Sequence, residues 1–552
     1  MKIVIIGAVA AGTSAAAKAR RNDEEAEIII FDKDIDISYA GCGLPYYIGN
    51  KVKDRSELVP RDASFFKKKY NVDIFIQHEI LALDVETKKL TVKNLITKEI
   101  FMEDFDKLII STGAKSVIPN IPGVDKENVF YLRNVQSADR IKTFINENNP
   151  KKAVIIGSGF IGLEMTENLK NLGIDVTVVE LATQIMTPLD KDMALYIQKY
   201  LDKKGINFVL GESVVAIEGE FPNSKVILSS GKEIEADFVV TAVGIKPNIE
   251  FAQIAGVELG TSGAIKVNKK MQTNFNYIYA CGDCSESYSL ITGKNTYIPL
   301  GSTANKTGRI VGDSITGGSL EFRGILGTGI FKVFDLAVAY TGLSEKAAIK
   351  EGYEVAVCHN IKPDKATYYG GEDMTIKGVA DKNTGKLLGA QIVGTNGVDK
   401  RIDVFATAIT FGAKVEDLFH LDLAYSPPFS TTKDPVMYTG MILDNSINRG
   451  RELITPEELR TRVEKGEKIK IIDARVTKQY EEGYVEASEN IPQDKIRKEL
   501  EGLDREQVTV TYCNKGVTGN AVQNILINND FKKVYNLSGG HKFYNVTDKK
   551  LK

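Results

Sequence analysis

Two stretches of the chain share one pattern of hydrophobic and polar positions. In "KIVIIGAVAAGTSAAAKARR" (2–21) and "KKAVIIGSGFIGLEMTENLKNLG" (151–173), a continuous apolar run passes through glycines into an Ala/Leu-rich run. Each is followed by a second apolar run that ends in an acid, "AEIIIFDKD" and "IDVTVVELA". Continuous apolar strands are typical of a parallel sheet that is buried on both faces. The pattern therefore predicts two βαβ units.

The rest of the chain divides into regions with other patterns. "KLIISTGAKSVIPNIPG" (107–123) predicts a strand, a turn and a proline-bearing crossover, and "AIKVNKKMQTNFNYIYACGDCSE", from about residue 265, predicts strands and a glycine turn. Residues 325–445 carry strand and helix signals with few nucleotide-binding features. "INRGRELITPEEL" (447–459) is typical of a boundary, after which the apolar runs "IKIIDA" and "VTVTYC" alternate with helices. We expect an α/β protein whose last domain is small and separate.

Length and composition narrow the class of protein. A chain of 552 residues is long enough for three to five domains. The net charge is −2 with both signs mixed, which gives no argument for a nucleic-acid partner. Five cysteines do not make a disulfide framework in so long a chain and suggest a reducing compartment. With no signal-peptide pattern and no apolar run near the ~20 residues of a membrane span, we expect a cytoplasmic protein without a membrane partner.

The second glycine loop carries a complete dinucleotide fingerprint. Gly157, Gly159 and Gly162 allow a tight turn, a close approach of the backbone to a pyrophosphate, and close helix–strand packing. Glu180 follows Gly162 by 18 residues at a strand end, where a carboxylate can accept from both ribose hydroxyls. A 2′-phosphate would be repelled there, so the sequence favours NADH over NADPH.

The first glycine loop is an incomplete version of the same fingerprint. Gly7 and Gly12 are present, Val9 stands at the middle glycine position, and Asp32 lies 20 residues after Gly12 at a strand end. A purely structural βα turn is the alternative interpretation. We favour a second dinucleotide, and a flavin is the natural companion of NADH.

Two further motifs give the chain a resemblance to a known family. Together with the fingerprints, "STGA" (111–114) and "YACGDC" (279–284) resemble the pyridine nucleotide–disulfide oxidoreductase superfamily over roughly residues 1–445. The resemblance implies two Rossmann-like domains, one for FAD (1–150 and 265–322) and one for NAD(H) (151–264), and an α+β dimerisation domain (323–446). It also implies that Asp283 binds the ribityl chain of the flavin.

The candidate cofactor-binding residues lie in these loops and strand ends. They are Gly7, Val9, Ala10, Ala11, Gly12, Asp32, Lys33, Thr112, Gly113, Gly157, Gly159, Phe160, Ile161, Gly162, Glu180, Gly244, Gly282, Asp283 and Ala304. Cys281 and Cys284 form a CxxC, for which a redox pair is the alternative interpretation; we favour a turn that holds flavin. A metal site would need two more ligands, and no second CxxC exists, so no metal is expected.

The segment "SYAGCGLPYYIGN" (38–50) contains a cysteine without a partner. Many members of the superfamily carry a CxxxxC pair, but the position five after Cys42 is Tyr47. A single thiol must store its oxidised state as a mixed disulfide, a persulfide or a sulfenic acid. Pro45 can start a helix, whose positive end would lower the pKa of Cys42. The alternative is a buried, inert cysteine.

The same segment resembles the active site of coenzyme A-disulfide reductases, whose usual form is Ser-Phe-Ala-Asn-Cys-Gly-Leu-Pro-Tyr. Here Tyr39 replaces the phenylalanine and Gly41 replaces the asparagine. The related NADH oxidases and peroxidases generally carry a histidine at the position of Ala10. The alanine therefore indicates that reduction of peroxide or oxygen is not efficient here.

The coenzyme A-disulfide reductase resemblance implies further site residues and a homodimer. Tyrosines from the partner subunit protonate the leaving thiolate in that family; "LAYSPPFSTTKDP" places one at Tyr425, and "ATYYGG" places the other at Tyr368, with Tyr369 as the alternative. Packing at the dimer interface is the other interpretation of these tyrosines. Coenzyme A phosphates need cations and polar groups, and the candidates, which an exposed helix face would also explain in part, are Lys18, Arg20, Arg21, Ser38, Tyr39, Arg61, Lys69 and Asn305.

The C-terminal region places a second candidate thiol in a glycine loop. "VTVTYCNKGVTGNAVQNIL" sets Cys513 between an apolar strand and a helix, where backbone N–H groups can stabilise an anionic persulfide. With "IIDAR" and "YNLSGGHKF", it resembles a small α/β rhodanese domain over residues 455–552. Thr518 stands where an arginine is common, Gly483–Tyr484 replaces the usual Gly-His, and Lys515 is the candidate charge. The alternative is a non-catalytic binding module.

These observations together give one functional hypothesis and two rivals. We expect an FAD-dependent NADH oxidoreductase that reduces coenzyme A persulfide, polysulfide or coenzyme A disulfide through Cys42, with Cys513 handling sulfane sulfur. The rivals are an NADH oxidase that uses oxygen, and a sulfur-transfer or redox-sensing protein. The sequence leaves open the physiological acceptor and the sulfur donor to Cys513.

Overall fold

The computed structural model describes residues 1–548. They form two compact units. The first combines residues 1–183 with residues 206–327, and the second combines residues 184–205 with the chain from residue 328 onward. Among the described residues, no helix is both long and apolar enough to cross a bilayer.

The first unit contains both of the predicted βαβ patterns. Its strands are β1 (Lys2–Ile6), β2 (Glu27–Phe31), β3 (Asp73–Phe75), β4 (His78–Asp84), β5 (Lys89–Asn94), β6 (Ile100–Asp104), β7 (Lys107–Ile110), β8 (Ala114–Ser116), β9 (Val129–Tyr131), β10 (Lys152–Ile156), β11 (Asp175–Glu180), β12 (Asn207–Leu210), β13 (Val214–Glu218), β14 (Ser224–Leu228), β15 (Glu233–Ala236), β16 (Phe238–Thr241), β17 (Ile245–Pro247), β18 (Ile278–Ala280), β19 (Ser287–Tyr288) and β20 (Asn295–Thr296). Its helices are α1 (Ala11–Asn22), α2 (Leu44–Ile48), α3 (Arg55–Leu58), α4 (Ala63–Tyr70), α5 (Val135–Asn148), α6 (Phe160–Asn171), α8 (Glu250–Ile254) and α9 (Gly301–Ser314).

Two five-stranded parallel sheets organise this unit. Their strand orders are β18–β7–β1–β2–β3 and β12–β11–β10–β16–β9. Ile3, Val4 and Ile5 of β1 are fully buried, because helices or further chain cover both faces of a parallel sheet. The two predicted βαβ units are therefore confirmed as β1–α1–β2 and β10–α6–β11. In both, the glycine loop lies at the carboxyl edge of the sheet, where doubly wound folds bind their ligands.

Smaller sheets complete the first unit. Strands β4–β5–β6 and β13–β14–β15 form antiparallel three-stranded sheets, and β8 pairs with β17. The β8–β17 pair joins the strand that follows "STGA" to the segment after β16, with Ser116 opposite Ile245. This pairing brings distant parts of the sequence to the same edge as the glycine loops.

The second unit contains an antiparallel sheet and a parallel sheet. Its strands are β21 (Gly329–Val333), β22 (Leu336–Gly342), β23 (Val355–Pro363), β24 (Asp373–Asp381), β25 (Leu387–Gly394), β26 (Leu453–Ile454), β27 (Lys470–Asp473), β28 (Ser488–Asn490), β29 (Thr509–Tyr512) and β30 (Val534–Leu537). Its helices are α7 (Lys191–Lys203), α10 (Glu345–Lys350), α11 (Val398–Thr410), α12 (Pro435–Asn448), α13 (Pro456–Glu464), α14 (Thr477–Glu481), α15 (Ile496–Glu499), α16 (Val517–Ile527) and α17 (Gly540–Val546). The antiparallel order is β21–β22–β25–β24–β23, and the parallel order is β26–β30–β29–β27–β28.

A helix begins in the segment that the sequence analysis interprets as a domain boundary, which stays a prediction. Thr455 caps α13 by accepting a hydrogen bond from the N–H of Glu458, and Pro456 occupies the first turn. The apolar runs "IKIIDA" and "VTVTYC" form the neighbouring strands β27 and β29, with Ile471 opposite Val510. The predicted α/β, multi-domain fold class is confirmed.

The parallel sheet region of the second unit is joined to the antiparallel region through a buried histidine. The ring of His359, on β23, stacks on Phe543 of α17 with ring centroids 4.2 Å apart. Its backbone N–H donates to Ser538 Oγ at 2.7 Å, and its Nε2 lies 2.7 Å from Asp192 Oδ2 on α7. Lys377 is also paired with Asp192; although desolvation acts to raise it, this ion pair and the hydrogen-bond contact with His359 hold the pKa of that carboxyl well below its usual range. The two regions are therefore packed through specific polar contacts.

Candidate active site

The loop after β1 has the close contacts of a dinucleotide cradle. Gly7 has φ +105°, and a Cβ there would lie 2.3 Å from the carbonyl oxygen of Ser111. A Cβ on Gly12 would lie 1.9 Å from the carbonyl oxygen of Gly7. No side chain fits at either position, so the start of α1 lies directly against the sheet edge. Val9 and Ala10 precede α1 and line a cavity described below.

Asp32 closes the first cradle at the end of β2. Its carboxylate accepts hydrogen bonds from the N–H of Ala8 at 2.6 Å and from the N–H of Asp34 at 2.9 Å. Burial raises its pKa to about 6, and these two hydrogen bonds act in the opposite direction. The acid is therefore fixed beside the first glycine loop, as the sequence predicts. Lys33 follows it directly in the chain.

The "YACGDC" segment lies against the same loop. A Cβ on Gly282 would lie 2.9 Å from the Cβ of Ala11 and 3.7 Å from that of Ala304 on α9. Asp283 Oδ2 lies 3.2 Å from Arg133 Nη2. The first glycine loop, this turn and α9 thus converge, and the arrangement fits the flavin that the sequence implies. In the "STGA" segment the Thr112 hydroxyl donates to the carbonyl of Asn248 at 2.6 Å, and Gly113 follows it.

The second glycine loop has the same construction. Gly157 has φ +104°, and a Cβ on Gly162 would lie 2.1 Å from the carbonyl oxygen of Gly157. A Cβ on Gly159 would have no atom within 4 Å, so this position faces open space at the start of α6, where Phe160 and Ile161 follow. Gly244, after β16, also faces open space. The loop fits a pyrophosphate that approaches the backbone from the open side.

Glu180 is held at the end of β11 beside this loop. Its Oε2 accepts from the N–H of Ser158 at 2.9 Å and from the Ser158 hydroxyl at 2.7 Å, and its Oε1 accepts from the N–H of Ala182 at 2.9 Å. The carboxylate is therefore fixed next to the residues that would hold the cofactor. A fixed negative charge at this place disfavours a phosphate on the adenosine ribose.

The CxxC of the "YACGDC" segment is buried and reduced. Cys281 and Cys284 are free thiols with no exposed surface. The Cys284 S–H donates to the carbonyl oxygens of Ile110 and Cys281 at 3.3 and 3.2 Å. Burial raises the pKa of Cys284 to about 11 and that of Cys281 well above its usual value. These contacts support a structural role in the turn, because a reactive thiol needs access and thiolate character.

Cys42 lies at the surface in the turn Gly41–Gly43, directly before α2. The pKa of its thiol is raised, first by desolvation of the sulfur within the turn and then by the charges of Glu164 and Asp283. The predicted lowering of this pKa is therefore wrong. Pro45 does lie in the first turn of α2, but that helix has only five residues, and desolvation together with the two carboxylates outweighs its N-terminal charge.

Two residues beside Cys42 were missed by the sequence analysis. The Tyr46 hydroxyl donates to Glu164 Oε1 at 3.4 Å. Burial raises the pKa of Glu164 to about 7, and the charge of Glu167 acts in the same direction. The pKa of Tyr46 is also raised, by burial and by Glu164. Tyr46 belongs to the Cys42 segment, and Glu164 belongs to the helix of the second fingerprint. Their contact could not be predicted from the sequence, because the two segments come together only in the folded protein.

A cavity of about 490 Å³ opens beside the first glycine loop and α1. Five of the predicted coenzyme A residues line it: Arg21, Ser38, Tyr39, Arg61 and Asn305. Further lining residues that the sequence analysis missed are Thr13, Ser14, Ala17, Phe66, Tyr70 and Arg309. Arg309 follows Asn305 by one turn of α9, which is a periodicity signal that could have identified it.

The remaining candidates for coenzyme A contacts lie elsewhere. The guanidinium of Arg20 is buried and donates to the backbone carbonyls of Asp23, Glu24, Tyr70 and Asn71. It therefore ties α1 to the end of α4; these contacts do not support a role as a ligand, which stays a prediction. Lys18 is paired with Asp313 at 3.0 Å and does not line the cavity. Lys69 lies over the ring of Phe65, 5.3 Å from its centroid.

The candidate tyrosines lie at the surface of the second unit. Tyr368 is 79% exposed in the turn Thr367–Tyr369, and Tyr369 is 55% exposed. Tyr425 is 49% exposed in the loop before α12. Their hydroxyls are thus accessible from outside this unit, and the assignment of one of the two neighbouring tyrosines stays a prediction.

Cys513 follows β29 directly and begins the loop that leads into α16. The thiol is nearly buried, at 6% exposure, and Gly516 precedes the helix with φ +95°. The N–H of His541 donates to the Cys513 carbonyl at 2.8 Å. Burial and the neighbouring Arg475 lower the pKa of His541 to about 4, so the ring is neutral at physiological pH.

Two features of the rhodanese-like region that the sequence singles out have defined contacts: Lys515 and Gly483–Tyr484. The Lys515 ammonium is paired with Asp373 on β24 at 2.8 Å. The carbonyl of Gly483 accepts from Arg475 Nη2 at 2.6 Å, and the ring of Tyr484 stacks on that of Tyr480 with centroids 4.6 Å apart. The positive charge on this loop is therefore partly countered by a carboxylate of the antiparallel region.

Three family domains match consecutive parts of the chain. They are "Pyridine nucleotide-disulphide oxidoreductase" over residues 1–308, "Pyridine nucleotide-disulphide oxidoreductase, dimerisation domain" over residues 329–435, and "Rhodanese-like domain" over residues 455–545. Together they follow the order of regions that the sequence predicts.

The chain is also similar to named proteins over most or all of its length. A CoA-dependent NAD(P)H sulfur oxidoreductase of Pyrococcus furiosus is 38% identical over 80% of this chain and 99% of its own. The crystal structure of reduced Bacillus anthracis CoADR-RHD matches with a TM-score of 0.96 and 40% identity, covering 99% of this chain and 98% of its own. A NAD-dependent persulfide reductase from A. fulgidus matches with a TM-score of 0.91 and 37% identity, covering 98% and 100%.

Proposed function

The chain belongs to the pyridine nucleotide-disulphide oxidoreductase family, and on this premise we propose that it is an FAD-dependent NADH oxidoreductase acting on sulfur. Its substrates are coenzyme A persulfide or polysulfide, with coenzyme A disulfide as the closely related alternative. The observation that carries the proposal is the single exposed thiol of Cys42 in the unit that holds both glycine cradles. Because Cys281 and Cys284 are buried and position 47 is a tyrosine, the disulfide partner of Cys42 comes from the substrate.

The two cradles are assigned to different cofactors. Gly7, Gly12, Asp32, Asp283 and the start of α9 would hold FAD, and Gly157, Gly159, Gly162 and Glu180 would hold NADH. When bound, the flavin supplies the two-electron chemistry that carries reducing equivalents from NADH to sulfur. Glu180 would accept from the ribose hydroxyls of NADH and repel the extra phosphate of NADPH.

Cys42 performs the exchange with substrate. Its thiolate attacks one sulfur of the substrate S–S bond; that bond breaks, a new S–S bond joins Cys42 to coenzyme A, and the other sulfur leaves as thiolate or hydrosulfide. The leaving sulfur takes up a proton, so the site needs an acid. Tyr425 and Tyr368 or Tyr369 of the partner subunit are proposed for this role, with Glu164 near neutral pKa beside Cys42.

The cavity beside α1 is proposed as the coenzyme A site. Arg21, Arg61 and Arg309 supply positive charge for its phosphates, and Ser38, Tyr39 and Asn305 supply polar contacts. Its volume of about 490 Å³ lies within the range of sites for cofactor-sized ligands. The pantetheine thiol would lead from this cavity towards Cys42.

Cys513 is proposed as a sulfur carrier. It lies at a strand end in an N–H-lined loop before α16, which is suited to an anionic persulfide. Fusion of this region to a flavin reductase favours persulfide over simple disulfide as the physiological substrate. The match to a dimerisation domain over residues 329–435 supports a homodimer, and the five free cysteines support a cytoplasmic location.

Anaerobic NADH consumption tests the proposal. The protein is supplied in turn with coenzyme A persulfide, polysulfide, coenzyme A disulfide and no acceptor, and absorbance of NADH is followed. We expect fast turnover with a coenzyme A-linked acceptor and none without acceptor. Turnover only after admission of oxygen would instead establish an NADH oxidase, and no turnover with any acceptor would leave a sulfur-transfer or sensing protein.

A further inference from the structure

Arg401, on helix α11, is buried in the antiparallel region of the second unit. Its side chain is 2% exposed, and it is paired with Asp434, whose side chain is 3% exposed. The guanidinium Nη2 and Nε lie 2.9 and 3.1 Å from the carboxylate oxygen Oδ2 of Asp434. A buried ion pair adds little to stability, because the cost of desolvation offsets the attraction between the charges. The other contacts of the guanidinium therefore indicate its role.

The ion pair holds the loop that carries Tyr425, residues 421–434. The Ser430 hydroxyl donates to Asp434 Oδ2 at 2.8 Å, and the guanidinium Nη2 lies 3.3 Å from the same hydroxyl oxygen. The N–H of Ser430 donates in turn to the carbonyl of Ser426 at 3.1 Å. Ser426 directly follows Tyr425 in the chain. This exposed tyrosine is therefore joined to the buried ion pair by one short turn.

The same guanidinium holds a second loop, residues 364–372, which carries Tyr368 and Tyr369. Its Nη2 donates to the carbonyl of Asp364 at 2.6 Å, directly after the end of β23. The N–H of Asp364 donates to the Glu372 carbonyl at 2.9 Å, and the N–H of Glu372 donates to Asp364 Oδ1 at 2.7 Å, so the base of the loop is closed. One buried guanidinium therefore contacts both tyrosine-bearing loops.

We propose that Arg401 is a positioning residue, which fixes the two tyrosine-bearing loops relative to each other. Their tyrosines are then presented together to the leaving sulfur at Cys42 of the partner subunit. This inference rests on the function proposed above, in which these tyrosines supply the proton. A proton donor has to lie within hydrogen-bond reach of its acceptor, about 2.6–3.2 Å. Two donors from separate loops meet that condition only when the loops keep a fixed distance.

The protonation step defines what such positioning changes. When the Cys42 thiolate attacks coenzyme A disulfide, the S–S bond breaks, its electron pair leaves with one sulfur, and a new S–S bond joins Cys42 to the other half. The leaving thiolate takes its proton from a tyrosine hydroxyl, and water reprotonates the tyrosinate. A leaving thiol of low pKa, such as thionitrobenzoate, departs as a stable anion and needs no such proton. Only the reaction with an ordinary leaving thiol should therefore depend on Arg401.

Two substrates that share a coenzyme A half test this role in the full-length holoenzyme. They are coenzyme A disulfide and the mixed disulfide of coenzyme A with thionitrobenzoate, and anaerobic NADH oxidation gives kcat/KM for each. The ratio of the first kcat/KM to the second reports the contribution of the proton donor. We expect Arg401→Lys to lower this ratio roughly tenfold, because lysine keeps a charge for Asp434 but cannot reach both loops. Ser430→Ala releases only the Tyr425 loop and should lower the ratio less.

A variant without the tyrosines shows whether Arg401 acts through them. In a protein that carries Tyr368→Phe, Tyr369→Phe and Tyr425→Phe, the ratio is already low, and adding Arg401→Lys should lower it no further.

Val333→Ala is the matched control for loss of stability. Val333 is fully buried on β21, at the edge of the antiparallel sheet opposite to β23. The substitution leaves a cavity in the core, so it should lower the midpoint of thermal unfolding. It should leave the ratio of the two kcat/KM values unchanged, because it contacts neither tyrosine-bearing loop.

Several outcomes would overturn the inference. An equal ratio in wild type and Arg401→Lys would do so, as would the same fall in Val333→Ala, or a further fall when Arg401→Lys is added to the variant without the tyrosines. Failure of the proposed function is recognised separately, because the wild-type protein would then reduce neither substrate. Hydrogen–deuterium exchange in both tyrosine-bearing loops would still become faster in Arg401→Lys, and unchanged exchange there would contradict the positioning role itself.

Discussion

At the scale of single residues, the ionisation of Cys42 depends on charges that come from other parts of the chain. Desolvation is the largest cause of the raised pKa of this thiol, and Glu164, on the helix of the second fingerprint, and Asp283, in the "YACGDC" turn, raise it further. Glu164 itself titrates near neutral pH because burial raises its pKa to about 7. Above that pH the charged carboxylate of Glu164 disfavours ionisation of the Cys42 thiol. Below it, Glu164 is neutral and this effect is lost.

Replacing Glu164 by glutamine should therefore make Cys42 more reactive. The change removes a negative charge while keeping the shape and the contact with Tyr46, so the pKa of the Cys42 thiol falls. We expect alkylation of Cys42 by iodoacetamide at pH 8 to become severalfold faster, and its pH profile to move to lower pH. The rates are measured by peptide mass spectrometry on the reduced holoenzyme.

A matched control separates this effect from general loss of charge. Glu127→Gln removes an exposed carboxylate from the same unit and should leave the profile of Cys42 in place. A pH profile that is the same in Glu164→Gln and wild type would show that Glu164 does not control the thiol.

At the scale of single elements, the second glycine loop combines a position that is closed by packing with a position that is left open. Gly162 approaches the backbone of Gly157, and Gly159 faces open space. Gly162 is needed for close helix–strand packing, and Gly159 leaves room for the cofactor to approach the backbone. The sequence motif predicts this distinction. The α6 helix starts at this loop, so both functions depend on the same few residues.

Two alanine substitutions separate these functions. Gly162→Ala should destabilise the protein by about 1–3 kcal/mol, since its Cβ would lie 2.1 Å from the Gly157 carbonyl oxygen. Gly159→Ala should leave thermal unfolding unchanged and raise the KM for NADH, because its Cβ occupies space on the cofactor side. Thermal unfolding and NADH kinetics check both. Equal loss of stability in the two variants would contradict the division of roles.

The sequence predicted the elements better than it predicted the side-chain environment. The pattern of hydrophobic positions and the spacing of the glycines identified β1–α1–β2 and β10–α6–β11, because these signals are local in the sequence. The role of Arg20 was missed because two of its four acceptors are the carbonyls of Tyr70 and Asn71 at the end of α4, 50 and 51 residues away, and a basic run on a helix carries no sign of them. The pKa of Cys42 was misjudged for the same reason, since neither Glu164 nor Asp283 is near it in the chain.

At the scale of the whole molecule, the second unit fixes the rhodanese-like region against the dimerisation domain. His359, Asp192 and Ser538 form one set of contacts, and the two ion pairs of Asp373 form another. Cys513 is therefore held in a defined place on that domain. In the proposed function, a carrier such as the pantetheine arm of coenzyme A, or free ligand, conveys sulfur from Cys513 to Cys42.

Loss of the Cys513 thiol should divide the substrates into two groups. Cys513→Ser should spare NADH-dependent reduction of soluble coenzyme A persulfide, which diffuses directly to Cys42. It should abolish sulfur transfer from thiosulfate and slow any reaction whose donor must first load Cys513. Turnover is measured with each donor, and mass spectrometry follows the persulfide adduct. Equal turnover of wild type and variant for every donor, with no adduct on Cys513, would reduce the region to a binding module.

In the proposed function, one thiol, Cys42, links the nicotinamide-dependent flavoprotein to its sulfur substrate. The direct test is the rate of anaerobic NADH oxidation with coenzyme A persulfide in Cys42→Ser, compared with wild type at equal FAD content. We expect the variant to keep its flavin, because Cys42 is not part of the cradle, and to lose at least roughly a thousandfold in rate. A Cys42→Ser protein that reduces the persulfide at the wild-type rate would show that Cys42 does not perform the exchange with substrate.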